Sequence, residues 1–144
     1  MPVTRADWQG RLLPRTDPEV PLQLLAPLRP APAGGSGVFL ALCADGNEWW
    51  MKPVNNPLGG HTLVEEYVVP RVGALIDAPV CTTAIVGIGP GFERYEFVSG
   101  YHLEPGLAHA SPNIGRDVED LPYLDYRDRD NNRFRHMGAI ALYY

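Results

Sequence analysis

The chain has 144 residues, 45% of them apolar and 20% charged, which suits one ordinary domain with a modest core. A net charge of −5 excludes a general electrostatic affinity for nucleic acid or anionic membrane, so any anion site must be local. No apolar run reaches the roughly 20 residues of a membrane span and the N-terminus lacks a signal-peptide core, so a cytoplasmic protein without membrane contact is expected.

Residues 1–18 are mixed polar, with Pro2, Pro14 and Pro18, and read as an arm with a helical turn around 5–13. From Val20 the chain is apolar and proline-punctuated, which suits an edge strand or extended arm. Residues 30–37 form the most flexible stretch by composition and end in Gly34, Gly35, Ser36 and Gly37, a hairpin tip or linker. Strand-like runs at 38–43 and 48–52 flank Asp45-Gly46-Asn47, a strong hairpin signal. Alternation places Glu48, Trp50 and Lys52 on one face of the second run, with Trp49 and Met51 on the other. The tryptophans are read as core and edge packing. The loop 53–60 carries Asn55-Asn56-Pro57 and Gly59-Gly60.

A helix is expected from His61 to about Ile76, with Thr62 and Glu65 as a capping box. Leu63, Tyr67, Val68, Val72 and Leu75 supply its apolar stripe, and Pro70 should kink it. The β-branched run 80–88 reads as a strand, Gly89-Pro90-Gly91 as a turn, and 92–98 as the paired strand. Residues 99–114 are loop-like, 116–135 are crowded with opposite charges, and 134–144 resembles the start of an apolar helix. The expected fold is α+β: an antiparallel sheet of four or five strands, one helix packed across it, and an irregular C-terminal segment. The domain division is an arm at 1–18, a lobe at 19–98, and a remainder at 99–144.

Lys52 is the sole lysine; every other basic side chain is arginine. A lysine kept amid arginine substitution marks a place that needs a compact ammonium rather than a planar fork. A lysine on a strand, followed by a helix bearing Glu65-Glu66, is the arrangement by which kinase-like folds hold nucleotide phosphates. Other chemistries find less support. Asp128-Arg129-Asp130-Asn131-Asn132 begins like a calcium loop, but Arg133 and Ala139 stand where its glycine and bidentate acid belong. His61, His102, His109 and His136 are dispersed without zinc-ligand spacing, and no metal site is expected. Ser99, Ser111, His102, His109 and Glu104 share one stretch, yet no Gly-x-Ser-x-Gly elbow supports a hydrolase. Cys43 and Cys81 lie on apolar stretches and read as buried reduced thiols.

Residues 34–88 resemble the N-terminal part of HipA-like kinases. The resemblance rests on Gly34-Gly35-Ser36-Gly37, the hairpin rising to Trp49-Trp50-Met51-Lys52, and the Asn/Gly loop 55–60. It continues through Leu63-Val64-Glu65-Glu66-Tyr67-Val68 and Ala78-Pro79-Val80. It implies the small lobe of a Ser/Thr-type protein kinase that binds ATP. Lys52 would meet the phosphates and Glu66 would orient Lys52, with Glu65 as the other candidate. Gly34, Gly35, Ser36 and Gly37 would cover the nucleotide, and the backbone of Glu96, Phe97 and Val98 would meet adenine. The sequence lacks His-x-Asp-x-x-x-x-Asn and Asp-Phe-Gly motifs, so the base and Mg²⁺ ligands of a large lobe are expected to be missing and the chain inactive alone. The alternative is a non-enzymatic module that offers its open face, including 134–144, to another protein or to itself.

Overall fold

Hydrophobic alternation and two glycine turns are enough to build the first half of the sheet. In the computed structural model, which describes residues 20–32, 36–75 and 80–114, β1 (Leu22–Pro30) pairs antiparallel with β2 (Phe39–Cys43), and β2 with β3 (Glu48–Pro53). Asp45 shapes the turn between β2 and β3: its carboxylate accepts the Asn47 backbone N–H at 3.1 Å and the Trp49 indole N–H at 3.0 Å. β1 tolerates Pro27 because that end lies beyond the β4 pairing, where an imino nitrogen costs no ladder bond. Register shifts flank it at Leu24/Ala26 and Pro27/Arg29.

After β3 comes α1 (His61–Leu75), then β4 (Ala84–Ile88), a small hairpin of β5 (Glu96–Val98) and β6 (Tyr101–His102), and β7 (Gly106–Pro112). The sheet closes as a barrel in the order β1-β2-β3-β7-β4, the last contact being a parallel pairing of Leu22 with Val86 and Gln23 with Gly87. The described residues are therefore α+β, as expected, but the sheet is a five-strand closed barrel with one parallel pairing rather than an open antiparallel sheet.

Four further expectations are corrected. Residues 99–114 contain β6 and β7, and β7 joins β3 to β4 at the centre of the barrel. β5 pairs with β6 in a separate two-stranded sheet instead of with β4. The apolar stripe of α1 is not a core face: Val68, Val72 and Leu75 are exposed, and only Gly73 is fully buried. The helix runs through Pro70, and Thr62 donates its hydroxyl to the Gly59 carbonyl at 2.9 Å rather than capping the helix.

The core gathers Leu24, Phe39, Ala41, Cys43, Met51, Val86, Ile88, Ala108 and Ala110 from the barrel, with Phe97 and Leu103 from the hairpin region. Phe39 stacks at a tilt on Tyr95 (5.6 Å) and Phe97 (5.9 Å), and each such ring contributes about 1.5–3 kcal/mol by burial. The arm 1–18, Gly34 and Gly35, and the segment 115–144 with the calcium-like run and the apolar stretch 134–144 lie outside the described residues.

Candidate functional site

Alternation along β3 sends Met51 into the core and Lys52 to the opposite face, toward α1. Lys52 is only 8% exposed, a costly place for an ammonium unless it is paired. Its Nζ donates to Glu66 Oε1, from the second turn of α1. The other oxygen, Oε2, accepts from His109 Nδ1 at 3.2 Å. His109 is the direct register partner of Lys52 across β3 and β7. Glu66 thus bridges two donors that stand side by side on the barrel wall. Burial works to raise the Glu66 carboxyl, but the hydrogen bonds from His109 and Lys52, and their charges, outweigh it and hold the group below the usual glutamate range. Glu65 is exposed, so Glu66 is the residue brought to Lys52.

The loop between β3 and α1 sets this meeting. Asn56 is buried; its amide donates to the Pro53 carbonyl at 2.8 Å and the Gly59 carbonyl at 3.2 Å, and its oxygen accepts the Leu58 N–H at 3.0 Å. Asn55 reaches the His102 carbonyl at 2.8 Å and ties the loop to β6. From the C-terminal half of α1, Arg71 donates to Thr83 Oγ1 at 3.1 Å, linking the helix to the approach to β4.

Lys52, Glu66 and His109 line a cleft of about 450 Å³ with Val38, Trp50, Pro70, Val80, Cys81, Thr83 and Ser111. One ammonium, its partner carboxylate, an imidazole, a thiol and two hydroxyl side chains thus share a pocket whose remaining walls are apolar, a lining in which a few polar groups can orient a largely apolar ligand. Arg29 lies over the Trp50 ring, 5.1 Å from its centroid. Among the described residues, no group of three His, Cys, Asp or Glu side chains is placed to hold a metal ion.

The remaining sequence-selected residues fall elsewhere. Gly37 has φ +66°, and a Cβ there would lie 2.7 Å from Phe97 Cε2, so this glycine serves close packing on the core. Its neighbour Val38 lines the cleft, and Ser36 is half-buried beside it. Phe97 is buried core, Glu96 accepts the Gly100 N–H at 2.7 Å within the hairpin, and none of Glu96, Phe97 and Val98 lines the Lys52 cleft. Cys43 is buried as expected and its thiol is pushed up to about 11 by burial, aided by the Asp45 charge; Cys81 is exposed at the cleft, contrary to expectation.

Sequence reasoning weighed His109 and Ser111 only for a Ser/His hydrolytic arrangement and did not bring them to Lys52, because it read β7 as loop. The signal was present: Ala108 and Ala110 alternate with His109 and Ser111, which is strand periodicity written in small residues. No family model, curated protein or solved structure matches the chain.

Proposed function

We propose that the cleft is a nucleotide phosphate site and that the described residues form the small lobe of a HipA-like protein kinase. The single observation that carries this reading is a buried strand lysine held by a helix glutamate at the floor of an open cleft. That arrangement presents one compact, oriented ammonium to a polyphosphate, and the apolar walls strengthen its field. The sheet order supports the reading too, since the helix glutamate, the lysine strand and the strand beside it converge on one pocket.

The reading differs from the sequence expectation at the base end. The strand beside the lysine strand is β7, and Ser111, paired with Trp50, lines the cleft. In this reading backbone groups near Ser111 would meet adenine in place of those of Glu96, Phe97 and Val98. A covering role for Gly34, Gly35, Ser36 and Gly37 remains part of the proposal, since Val38, which follows them in the chain, lines the cleft. ATP is the proposed ligand; Mg²⁺ and the catalytic base would come from large-lobe motifs that this sequence does not contain, so no phosphotransfer by this chain alone is proposed.

Titration with ATP, followed through the fluorescence of Trp50 in the cleft wall, tests the reading. Saturable binding that Lys52→Met weakens at least tenfold is expected. Absence of saturable binding, or equal affinity in the variant, overturns it.

A second reading is favoured by one observation. Val64 of α1 is 62% exposed, and Val68, Val72 and Leu75 continue that surface, as befits a helix that seats a partner protein or a second copy. Sedimentation showing a monomer up to high concentration would remove self-association.

A further inference from the structure

α1 is held to the barrel mainly at its inner edge, with only Gly73 fully buried, so helix packing alone does not fix the Glu66 side chain. Glu66 is also 35% exposed, and a single contact to a long lysine at such a position orients weakly. His109 supplies what is missing. It sits opposite Lys52 on the neighbouring strand, so the two side chains rise together from a rigid floor. One takes Oε1 and the other Oε2, which fixes the rotation of the carboxylate as well as its distance.

The chemistry at His109 points the same way. A carboxylate only accepts, so the hydrogen bond requires the proton on Nδ1. The other ring nitrogen, Nε2, is buried without a hydrogen-bond partner. The ring therefore bears the cost of an unpaired buried nitrogen to keep its contact with Glu66. Its body forms the partition between the Lys52 cleft and an apolar groove lined by Leu63, Val64, Tyr67, Ile85 and Leu107.

We infer that His109 is a positioning residue: by holding Glu66 Oε2 through Nδ1, it locks the carboxylate that aims the Lys52 ammonium into the cleft. Its consequence for ligand binding rests on the nucleotide reading above; the positioning itself does not. Charged and titratable groups facing the ring are Glu66 from α1 and Lys52 from β3, while β4 presents Ile85 and α1 adds Tyr67 at the groove.

Because Lys52 is the sole lysine, amine labelling of the full chain reads its environment directly, once the N-terminal amine is separated by peptide mapping. An ammonium locked in an ion pair reacts slowly with trinitrobenzenesulfonate. His109→Leu keeps the volume and removes the donor, and should raise the Lys52 labelling rate about three- to tenfold, within the lower part of the coupling found between touching side chains. His109→Asn places an amide donor near the Nδ1 position and should return the rate to within about twofold of the unsubstituted chain. Glu66→Gln sets the upper limit.

An unchanged rate in His109→Leu beside a raised rate in Glu66→Gln overturns the proposal, as does an equal rise in the Leu and Asn variants, which would mark simple packing. Should His109→Leu fail to fold, ¹⁵N spectra of the unsubstituted protein decide: a proton on Nδ1 supports the proposal, and a ring protonated on Nε2 alone overturns it. Labelling with and without ATP separates the two claims. If ATP does not slow the reaction of the unsubstituted chain, the nucleotide reading fails while the His109 result stands.

Discussion

Lys52 and His109 face each other across β3 and β7 and donate to opposite oxygens of one carboxylate, Glu66. The pairing makes the site asymmetric. The ammonium is nearly buried, whereas the carboxylate is partly wet and has a second partner.

Removing either partner should therefore have unequal consequences. Glu66→Ala strands a buried ammonium and an imidazole donor, and should cost about 1–3 kcal/mol. Lys52→Met replaces the ammonium with an apolar chain of similar length and leaves Glu66 bonded to His109, so its effect on stability should stay within about 1 kcal/mol. Urea unfolding of both variants checks the order. If the proposed nucleotide reading holds, ATP affinity should fall in both, which separates binding from folding.

The same carboxylate gives a signed pH dependence. Unfolded, Glu66 takes up a proton near about pH 4.3; folded, its hydrogen bonds to His109 and Lys52 hold it charged to lower pH. The unfolded state thus binds more protons as pH falls. The associated stability is complete above the unfolded value and disappears as pH drops through the folded one. Glu66→Gln lacks this contribution, so the stability gap between it and the unsubstituted chain should be widest near neutrality, narrow as pH falls through the unfolded value and close below the folded one. Asp45 is also held low, but it is common to both chains and cancels in the difference. A gap that widens with acid would contradict the assignment.

Gly37 and Gly46 offer a controlled comparison of sterics and backbone. Both have positive φ, +66° and +79°, but a Cβ at Gly37 meets the Phe97 ring while one at Gly46 meets nothing within 4 Å. Gly46→Ala should cost about 1–2 kcal/mol, the penalty of a left-handed L-residue. Gly37→Ala adds displacement of a buried aromatic, a further 1–3 kcal/mol or so. Thermal denaturation should rank Gly37→Ala as clearly the worse.

Much of the barrel was legible because its first three strands use strong local signals. Asp45-Gly46 between apolar runs set the β2–β3 hairpin, and alternation placed Met51 inward and Lys52 outward. The helix, too, was legible in extent. What failed was the assignment of faces and partners. The valines of α1 have helical spacing yet point to solvent, since periodicity shows that a stripe exists and not that something covers it. β7 escaped because Ala108 and Ala110 have low strand propensity and little apolar weight, although a crowded barrel interior selects such small side chains. With β7 unread, 92–98 was the nearest strand left to pair with 80–88, whereas β5 pairs with β6. The Lys52–Glu66 pair does not depend on where β7 lies, because β3 and α1 are joined by a short loop whose geometry is local.

That loop gives the last prediction. Asn56 accepts one backbone N–H and donates to two carbonyls, so it fixes the path from Pro53 at the end of β3 to Gly59 before α1. Asn56→Ala leaves the Leu58 N–H without its acceptor and takes one donor from each of the Pro53 and Gly59 carbonyls, which keep the Asn56 N–H and the Thr62 hydroxyl, so it should cost roughly 1–3 kcal/mol. Asn56→Asp keeps the acceptor for the Leu58 N–H but sets a carboxylate against the Pro53 and Gly59 carbonyls, so it should be no better tolerated. Because α1 carries Glu66, the loop variant should also loosen the ion pair, and the labelling rate of Lys52 should rise even under conditions where the chain remains folded. A destabilised Asn56→Ala chain whose Lys52 stays as protected as before would mean that Glu66 is held by His109 and the barrel wall, with the loop contributing to stability alone.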